Sequence, residues 1–567
     1  MWNPATARQR VVTSVIAWAA FAASACTDPL PPERVQPARG SQSVVGQPPS
    51  IRSDEKPFDD IAQRVPGFGG YFRSSAGELV LVSTRATEKA ALLTEGANVM
   101  AQLRRVLPES RLTAVRIVDG KFSFWQLAQV RDLLFEQALG RVPGVQGLDL
   151  DEQANRVSVG VTQAGKEAAR QEVIRLVRDA GLDTLAVALV AYEQPRVQST
   201  PAILAPPPSP GWSLGASWSE IVGGIQWAAM PRRAFCTVGA VVDWNGQRGF
   251  ITASHCSQDF FNLEYTLAYQ PDTNSSLGSM ATEQADPAGT NCWSWGQFSY
   301  LPCRDSDASY FVSSGAMPMN KGLIARPAYR TSAGTDPGYT VLDQAKPYFI
   351  VTSSALSVPS GTLVDKVGIR TGWTSGIITN SCQDQVMTFP GTPKDFILKC
   401  AYVASIYTGE GDSGGPFLML DPSETEASLV GLLSGGNGSQ AWVSRWTGIV
   451  NDLGGGISAT RGFALATPTL SGSVSASGNP VVSWSSVAGA TKYVVFREWF
   501  HRTTGESGSS SEVWNSPTED TAFQVTSFRG STIPGPHTPG YVSYRVVAYS
   551  MTDASLSSTV QYFELAP

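Results

Sequence analysis

Two short strings, far apart in the chain, must meet if either is to do chemistry. Gly411-Asp412-Ser413-Gly414-Gly415-Pro416 sets a serine in a glycine-rich turn, and Thr252-Ala253-Ser254-His255-Cys256 carries a histidine beside a cysteine. A serine hydroxyl is a poor nucleophile until a neighbouring base takes its proton. Glycines around it let backbone N–H groups crowd onto one point, where an oxyanion would form. A specified six-residue string arises by chance in a chain of this length at odds on the order of 10⁻⁵. Of three histidines, His501 and His537 lie in a C-terminal segment that reads as a separate domain. His255 is therefore the imidazole open to Ser413, and the fold must bring the two together.

The surroundings read as β-structure. From about 216 to 460, short apolar runs alternate with Gly, Asn, Asp and Ser turns, the pattern of an all-β sandwich or barrel. With 54 glycines, 37 prolines and only 16% charged residues, the composition fits a loop-rich, extracellular-type protein better than a helical cytosolic one. The 567 residues suffice for three or four domains. The formal charge of −6 is mild, and without a Lys/Arg run there is no electrostatic footprint for nucleic acid.

Six of the seven cysteines (Cys236, Cys256, Cys292, Cys303, Cys382 and Cys400) fall in one segment. An even number so confined points to three disulfides formed in an oxidising compartment. Six cysteines allow fifteen pairings; sequence order and hairpin geometry favour Cys236–Cys256, Cys292–Cys303 and Cys382–Cys400. Zinc is the alternative, but no C-x-x-C pair and no nearby second histidine support it. No metal and no other cofactor is implied.

The N-terminus reads as an address. Arg8 and Arg10 precede an apolar run from Val11 to Ala22 that is too short to span a bilayer, and Ala23-Ser24-Ala25 offers small residues for cleavage. Two readings stay open: an ordinary signal peptide, 1–25, or a bacterial lipoprotein signal in which Cys26 is lipidated and anchors the chain to a membrane. Ala23 stands where lipoprotein signals usually carry Leu. Either way the protein is exported, secreted or held at the cell envelope.

The chain then reads as multidomain. Residues 26–65, rich in Pro, Gln, Ser and Arg, predict a flexible tether. Over 66–195 the pattern is α+β. Leu79-Val80-Leu81-Val82 is a strand, followed by a helical stretch through about Leu103. Ser123-x-x-Gln126 is a capping box opening a helix. Leu148 and Leu150, then Val157, Val159 and Val161, form a hairpin about the polar turn Glu152-Gln153-Ala154-Asn155. A helix carrying Val173, Leu176, Val177 and Ala180 stops at Gly181, and a strand runs from Leu185 to Val190. Pro-rich residues 196–215 are a linker exposed to cleavage. The segment 463–567 is β again, with Val481–Trp484, Tyr493–Phe496 and Tyr544–Tyr549 as central strands.

Ile221-Val222-Gly223-Gly224, Cys236-Thr237-Val238-Gly239, the strings around His255 and Ser413, Ser306-Asp307-Ala308 and Gly368-x-x-x-Gly372-x-x-x-Gly376 together carry a resemblance. Residues 216–460 resemble the chymotrypsin-fold serine peptidases, in the bacterial branch typified by α-lytic protease and the streptogrisins. The order His, Asp, Ser fits that family and differs from subtilisins and α/β-hydrolases. The resemblance implies an all-β double β-barrel and a triad of His255, Asp307 and Ser413, with Asp305 the runner-up for the acid because residues two apart share one side of a strand. It implies an oxyanion hole at the N–H groups of Gly411 and Ser413, and a partner for Asp412 that the glycine pattern assigns to Lys366. It places the pocket floor at Tyr407, with Thr408 beside it, Ser434-Gly435-Gly436 as one wall and Glu410 near the mouth. With no acid at Tyr407, Arg or Lys substrates are disfavoured.

Through Leu148-Asp149-Leu150-Asp151-Glu152-Gln153-Ala154-Asn155-Arg156-Val157, residues 66–195 resemble the family's pro-region, which assists folding and inhibits until removed. Residues 463–567 resemble a fibronectin type III module, a β-sandwich that serves as a spacer or binds a polymer or cell surface. Ile221 is either the first strand or, as in trypsin, a new N-terminus released after Glu220; the strand reading is favoured. The function implied is an endopeptidase acting on polypeptide substrates. An inactive binding scaffold, or an esterase using the same triad, are the alternatives.

Overall fold

The computed structural model describes residues 55–86, 115–192 and 213–461, apart from short stretches within them, and parts of 468–565. The expected signal peptide, Cys26, most of the tether, the helical stretch near Leu103 and most of the 196–215 linker lie outside the described residues. Among the described residues the chain is mainly β-sheet with few helices. None of these helices is long and apolar enough to cross a membrane.

The N-terminal part packs two longer helices against a hairpin, beside a three-stranded sheet of Phe68–Arg73, Leu79–Ser83 and Arg116–Asp119. Ser123 and Gln126 form the expected capping box, each side chain meeting the other's backbone N–H, and start the Phe124–Gln137 helix. Its Leu127, Val130 and Leu134 are buried, facing Leu148, Leu150, Val157 and Val159 of the Val145–Asp151 and Arg156–Val161 strands. The Lys166–Asp179 helix adds Val173 and Val177 and ends before Gly181, whose φ of 73° suits glycine.

Three expectations need correcting. The tether predicted over 26–65 does not hold at its end: Lys56–Ala62 is a helix burying Phe58 and Ile61. Pro57, read as a loop residue, sits in the first turn, where its missing N–H costs nothing. Behind it Glu55 is buried against Arg131, whose Nη2 donates to Oε2 at 2.8 Å. The strand placed at Leu185–Val190 begins later, at Val187, because the Asp183 carboxylate accepts from Leu185 N–H and holds Thr184–Ala186 in a 3₁₀ turn. The linker read over 196–215 is fixed at its end: Ser213 bridges Val341 and Leu214 is buried.

Residues 221–458 are organised in two large sheets. One has eight strands in the order Ile457–Ser458, Ala240–Trp244, Gln247–Thr252, Ser309–Ser313, Ala281–Ala285, Leu267–Tyr269, Gln226–Met230 and Phe235–Thr237. The other has fifteen strands. At its centre the long Gly372–Met387 strand pairs with Leu363–Gly368 and Phe396–Ser405. Ile221–Gly223 is a buried strand whose Ile221 N–H donates to Pro318 O at 2.8 Å. Glu220 beside it is buried and accepts from Tyr348 and Asn320. The bland strand geometry is thus what Ile221 adopts.

The fifteen-stranded sheet does not stop at the linker. Val145–Asp151 pairs antiparallel with Gly372–Met387, in the register Gln383↔Asp149, Asp384↔Leu148 and Gln385↔Gly147. Val386 and Ile397 are buried in the same apolar cluster as Leu148 and Leu134. Burying such a side chain stabilises by roughly 1.5–3 kcal/mol, so the seam is a continuous core. Tyr192 closes its rim: a Cβ on Gly147 or Gly160 would run into its ring.

The turn read as polar, Glu152 to Asn155, is buried at both ends, Glu152 by this seam and Asn155 within the N-terminal part. Asn155 Oδ1 accepts from Lys121 and Phe122 N–H, both at 2.7 Å. Glu152 Oε1 accepts from Ser381 Oγ at 2.6 Å, and Asp149 Oδ2 accepts from Asn380 at 2.8 Å. Burial pushes the Glu152 carboxyl up to about 8 and raises Asp149 well above the carboxylate range. Groups raised this way favour the folded state when protonated. For Glu152 that stabilisation is complete below about pH 4.5 and is lost as pH rises through about 8. Melting temperatures of the full chain between pH 5 and pH 8.5 should therefore fall toward alkali, and Glu152→Gln should flatten that slope. An unchanged slope in the variant would show that Glu152 is not its source.

In the C-terminal part, Leu470–Val474 pairs with Pro480–Trp484. A four-stranded sheet runs Ser507–Asn515, Lys492–His501, Gly540–Tyr549 and Gln561–Leu565. Trp484, Tyr493, Val495, Tyr544 and Val546 form one buried cluster, so all three expected central strands are strands.

Candidate functional site

Each half of the site comes from one sheet. Gln247–Thr252 runs from solvent into the core through Gly249-Phe250-Ile251 and delivers Ser254-His255-Cys256 as a buried 3₁₀ turn. His255 Nδ1 lies 2.6 Å from Asp307 Oδ2, and His255 N–H donates to Oδ1 at 3.2 Å. Both side chains are 0% exposed, so this is a short polar contact in a low-dielectric setting. Asp305, the rival acid, is paired with Lys399 instead. The same-side argument fails because residues 305–308 are irregular, and the strand begins only at Ser309.

The serine turn is tied to that histidine segment by the Phe235–Thr237 strand. Thr237 N–H donates to Ser413 O, and Thr237 Oγ1 donates to Gly411 O, both at 2.9 Å. Thr252 Oγ1 donates in turn to Thr237 O at 2.9 Å. The Cys236–Cys256 disulfide joins the neighbours of Thr237 and His255 covalently. Gly414, at φ 80°, is required: a Cβ there would collide with Thr252 Oγ1 and lie 2.7 Å from Thr237 O. The other bridges are Cys292–Cys303 and Cys382–Cys400, so the structure pairs all six cysteines in the expected order. Among the described residues no cluster of His, Cys, Asp and Glu could hold a metal ion.

The Asp412 carboxylate is met by a set of donors apart from His255. Lys366 Nζ donates to Oδ2 at 2.9 Å and Thr371 Oγ1 at 2.6 Å, while Arg370 N–H reaches Oδ1 at 2.8 Å and Gly409 N–H reaches Oδ2 at 3.0 Å. Burial lowers the pKa of Lys366, and Asp412 opposes that shift. The geometry is the one the glycine pattern assigned to Lys366.

The four expected pocket residues are placed as follows. Thr408 is buried and touches Gly436, where a Cβ would collide with Thr408 Oγ1. Tyr407 is half-buried, and its carbonyl accepts from Thr374 Oγ1 at 3.1 Å. Ser434 Oγ is 2.6 Å from Ser444 Oγ, which itself accepts from Asp307 N–H at 2.7 Å. Glu410 is exposed. Ser444 carried no motif, and nothing in the sequence pointed to it.

Nor did the sequence single out the charges behind His255. Asp286 accepts from Ser254 Oγ at 2.7 Å and from Arg304 Nη1 at 3.0 Å. Burial pushes its carboxyl up to about 7, although Arg304 opposes the shift. Glu283, also raised by burial, accepts from Ser257 Oγ. Two acids thus hold the residues on either side of His255.

No family model matches the chain. Among solved structures it is similar to Thermobifida fusca Protease A, at 22% identity over 43% of this chain and 100% of that one, with a TM-score of 0.29. It is also similar to Cellulomonas bogoriensis chymotrypsin, at 18% identity over 42% and 100%, with a TM-score of 0.28. A murine norovirus NS6 protease follows at 9% identity over 36% and 91%, with a TM-score of 0.19.

Proposed function

We propose that the chain is an exported serine endopeptidase of the chymotrypsin type, made as a proenzyme. The carrying observation is the buried 2.6 Å contact between His255 Nδ1 and Asp307 Oδ2, on a segment hydrogen-bonded through Thr237 to the Ser413 turn. A carboxylate so placed holds the imidazole with Nδ1 protonated, leaving Nε2 to take the Ser413 proton. Ser413 Oγ then attacks a peptide carbonyl carbon, and the N–H groups of Gly411 and Ser413 hold the oxyanion. The imidazolium returns its proton to the leaving amine, giving an acyl-enzyme. Water, deprotonated by His255, releases the acid and restores the serine.

Residues 66–195 would serve as pro-region, 196–215 as the linker cut on maturation, and Tyr407, Thr408, Ser434 and Gly436 as the specificity pocket. Substrates are polypeptides, without preference for Arg or Lys. The C-terminal module, read as fibronectin type III-like, would bind a polymer or cell surface. Cys26 is the lipidation candidate if the protein is anchored. In the test, the full chain is treated with a fluorophosphonate before and after the linker is cut with an added protease. Label on Ser413 is expected; none in either state would favour an inactive binding protein. Cleavage of esters but not peptides by unlabelled protein in the state that takes the label would favour an esterase.

A further inference from the structure

The site as derived uses none of the charge buried behind it. Arg304 ends the Pro302–Arg304 strand, next to the Cys292–Cys303 bridge, and its side chain is 0% exposed. Its Nη1 donates to Ser254 Oγ and Asp286 Oδ1, each at 3.0 Å, and its Nη2 donates to Ala308 O at 2.7 Å. Its Nε lies 3.8 Å from Asp452 Oδ2. That oxygen also accepts from Ser306 N–H and Oγ, both at 2.7 Å. One guanidinium therefore ties the residue before His255 to the residue after Asp307, and through Asp452 to the residue before it.

Burying an arginine and a carboxylate is a costly way to gain stability, since an apolar pair of like volume often does as well. What the planar fork adds is fixed geometry: several donors in one plane, set at once. Here they reach three chain segments, and two of these carry the imidazole and its carboxylate. We propose that Arg304 is a positioning residue, which sets His255 and Asp307 in register for proton transfer from Ser413 without touching the substrate.

The inference rests on the peptidase reading, and the experiment separates the two. The probe is the fluorophosphonate, read as a rate of inactivation at saturation and a half-saturating concentration, with melting temperature measured in parallel. Arg304→Met alone strands Asp286 and risks unfolding. The double variant Arg304→Met with Asp286→Leu removes both charges and keeps an apolar filling. The double variant is expected to melt like wild type, to keep the half-saturating concentration, and to lose about 10²-fold in saturating rate, the scale of a small misplacement at a reacting centre. Arg304→Lys is expected not to restore the rate, because one ammonium cannot serve Ser254, Asp286 and Ala308 together. Wild-type rates in a folded double variant would overturn the role of Arg304 and leave the peptidase reading standing. A wild-type protein that takes no label with the linker either intact or cut would overturn both.

Discussion

Replacing Asp307 with Asn is expected to cut turnover of a chromogenic peptide ester by about 10⁴-fold, with the fold intact. The size follows from a tautomer. Asp307 accepts at both oxygens, from His255 Nδ1 and from His255 N–H. An amide must keep one acceptor for the backbone N–H, so it turns its NH₂ toward Nδ1. The ring then carries its proton on Nε2, the atom that should receive the serine's. Asp305→Asn gives the contrast, since Asp305 forms a half-buried pair with Lys399. That variant should keep turnover within a few-fold, because the Asp305 carboxylate pairs with Lys399 rather than with His255. Inactivity of Asp305→Asn beside a working Asp307→Asn would reverse the assignment.

The second large effect concerns stability. Lys366 and Asp412 are each 0% exposed, and breaking such a pair by removing one partner typically costs about 3–5 kcal/mol. In Lys366→Met, Thr371 Oγ1 and three backbone N–H groups would still face the Asp412 carboxylate. The uncompensated charge remains nonetheless. The expected drop in melting temperature is on the order of 10 °C, with fluorophosphonate labelling of Ser413 reduced, because the same carboxylate pins the turn from Gly409 to Ser413. Scanning calorimetry with a labelling time course measures both. Wild-type melting and labelling together would mean that the ammonium is dispensable and the backbone donors suffice.

What was legible in the sequence was whatever local chemistry demands. Glycines at 411 and 414, Ser413, and His255 before Cys256 are written as strings because a tight turn around the proposed nucleophile admits few residues. The capping box at Ser123 and Gln126 is likewise local, and so is the stop at Gly181. Arg304, Asp286, Ser444 and Thr371 were illegible for the opposite reason. Each is a lone polar residue whose partner is supplied by sheet pairing far along the chain. The helix at Lys56 was hidden by Pro57, whose composition signal says loop while its position says first turn. The pairing of Asp149 with Gln383 was illegible too, since its ladder is backbone to backbone and its side-chain partners, Asn380 for Asp149 and Ser381 for Glu152, lie 231 and 229 residues away.

That pairing would have a consequence for the molecule if the proposed linker were cut. While residues 145–151 are in place, the Gln383–Gln385 stretch has its backbone N–H and C=O groups matched. If the N-terminal part departs, those groups become a bare ribbon edge flanked by Val386 and Met387, ready to zip onto any extended chain that drifts past. Release would thus trade an intramolecular cover for a sticky border, and whatever peptide or sister molecule arrives first inherits the vacated lane.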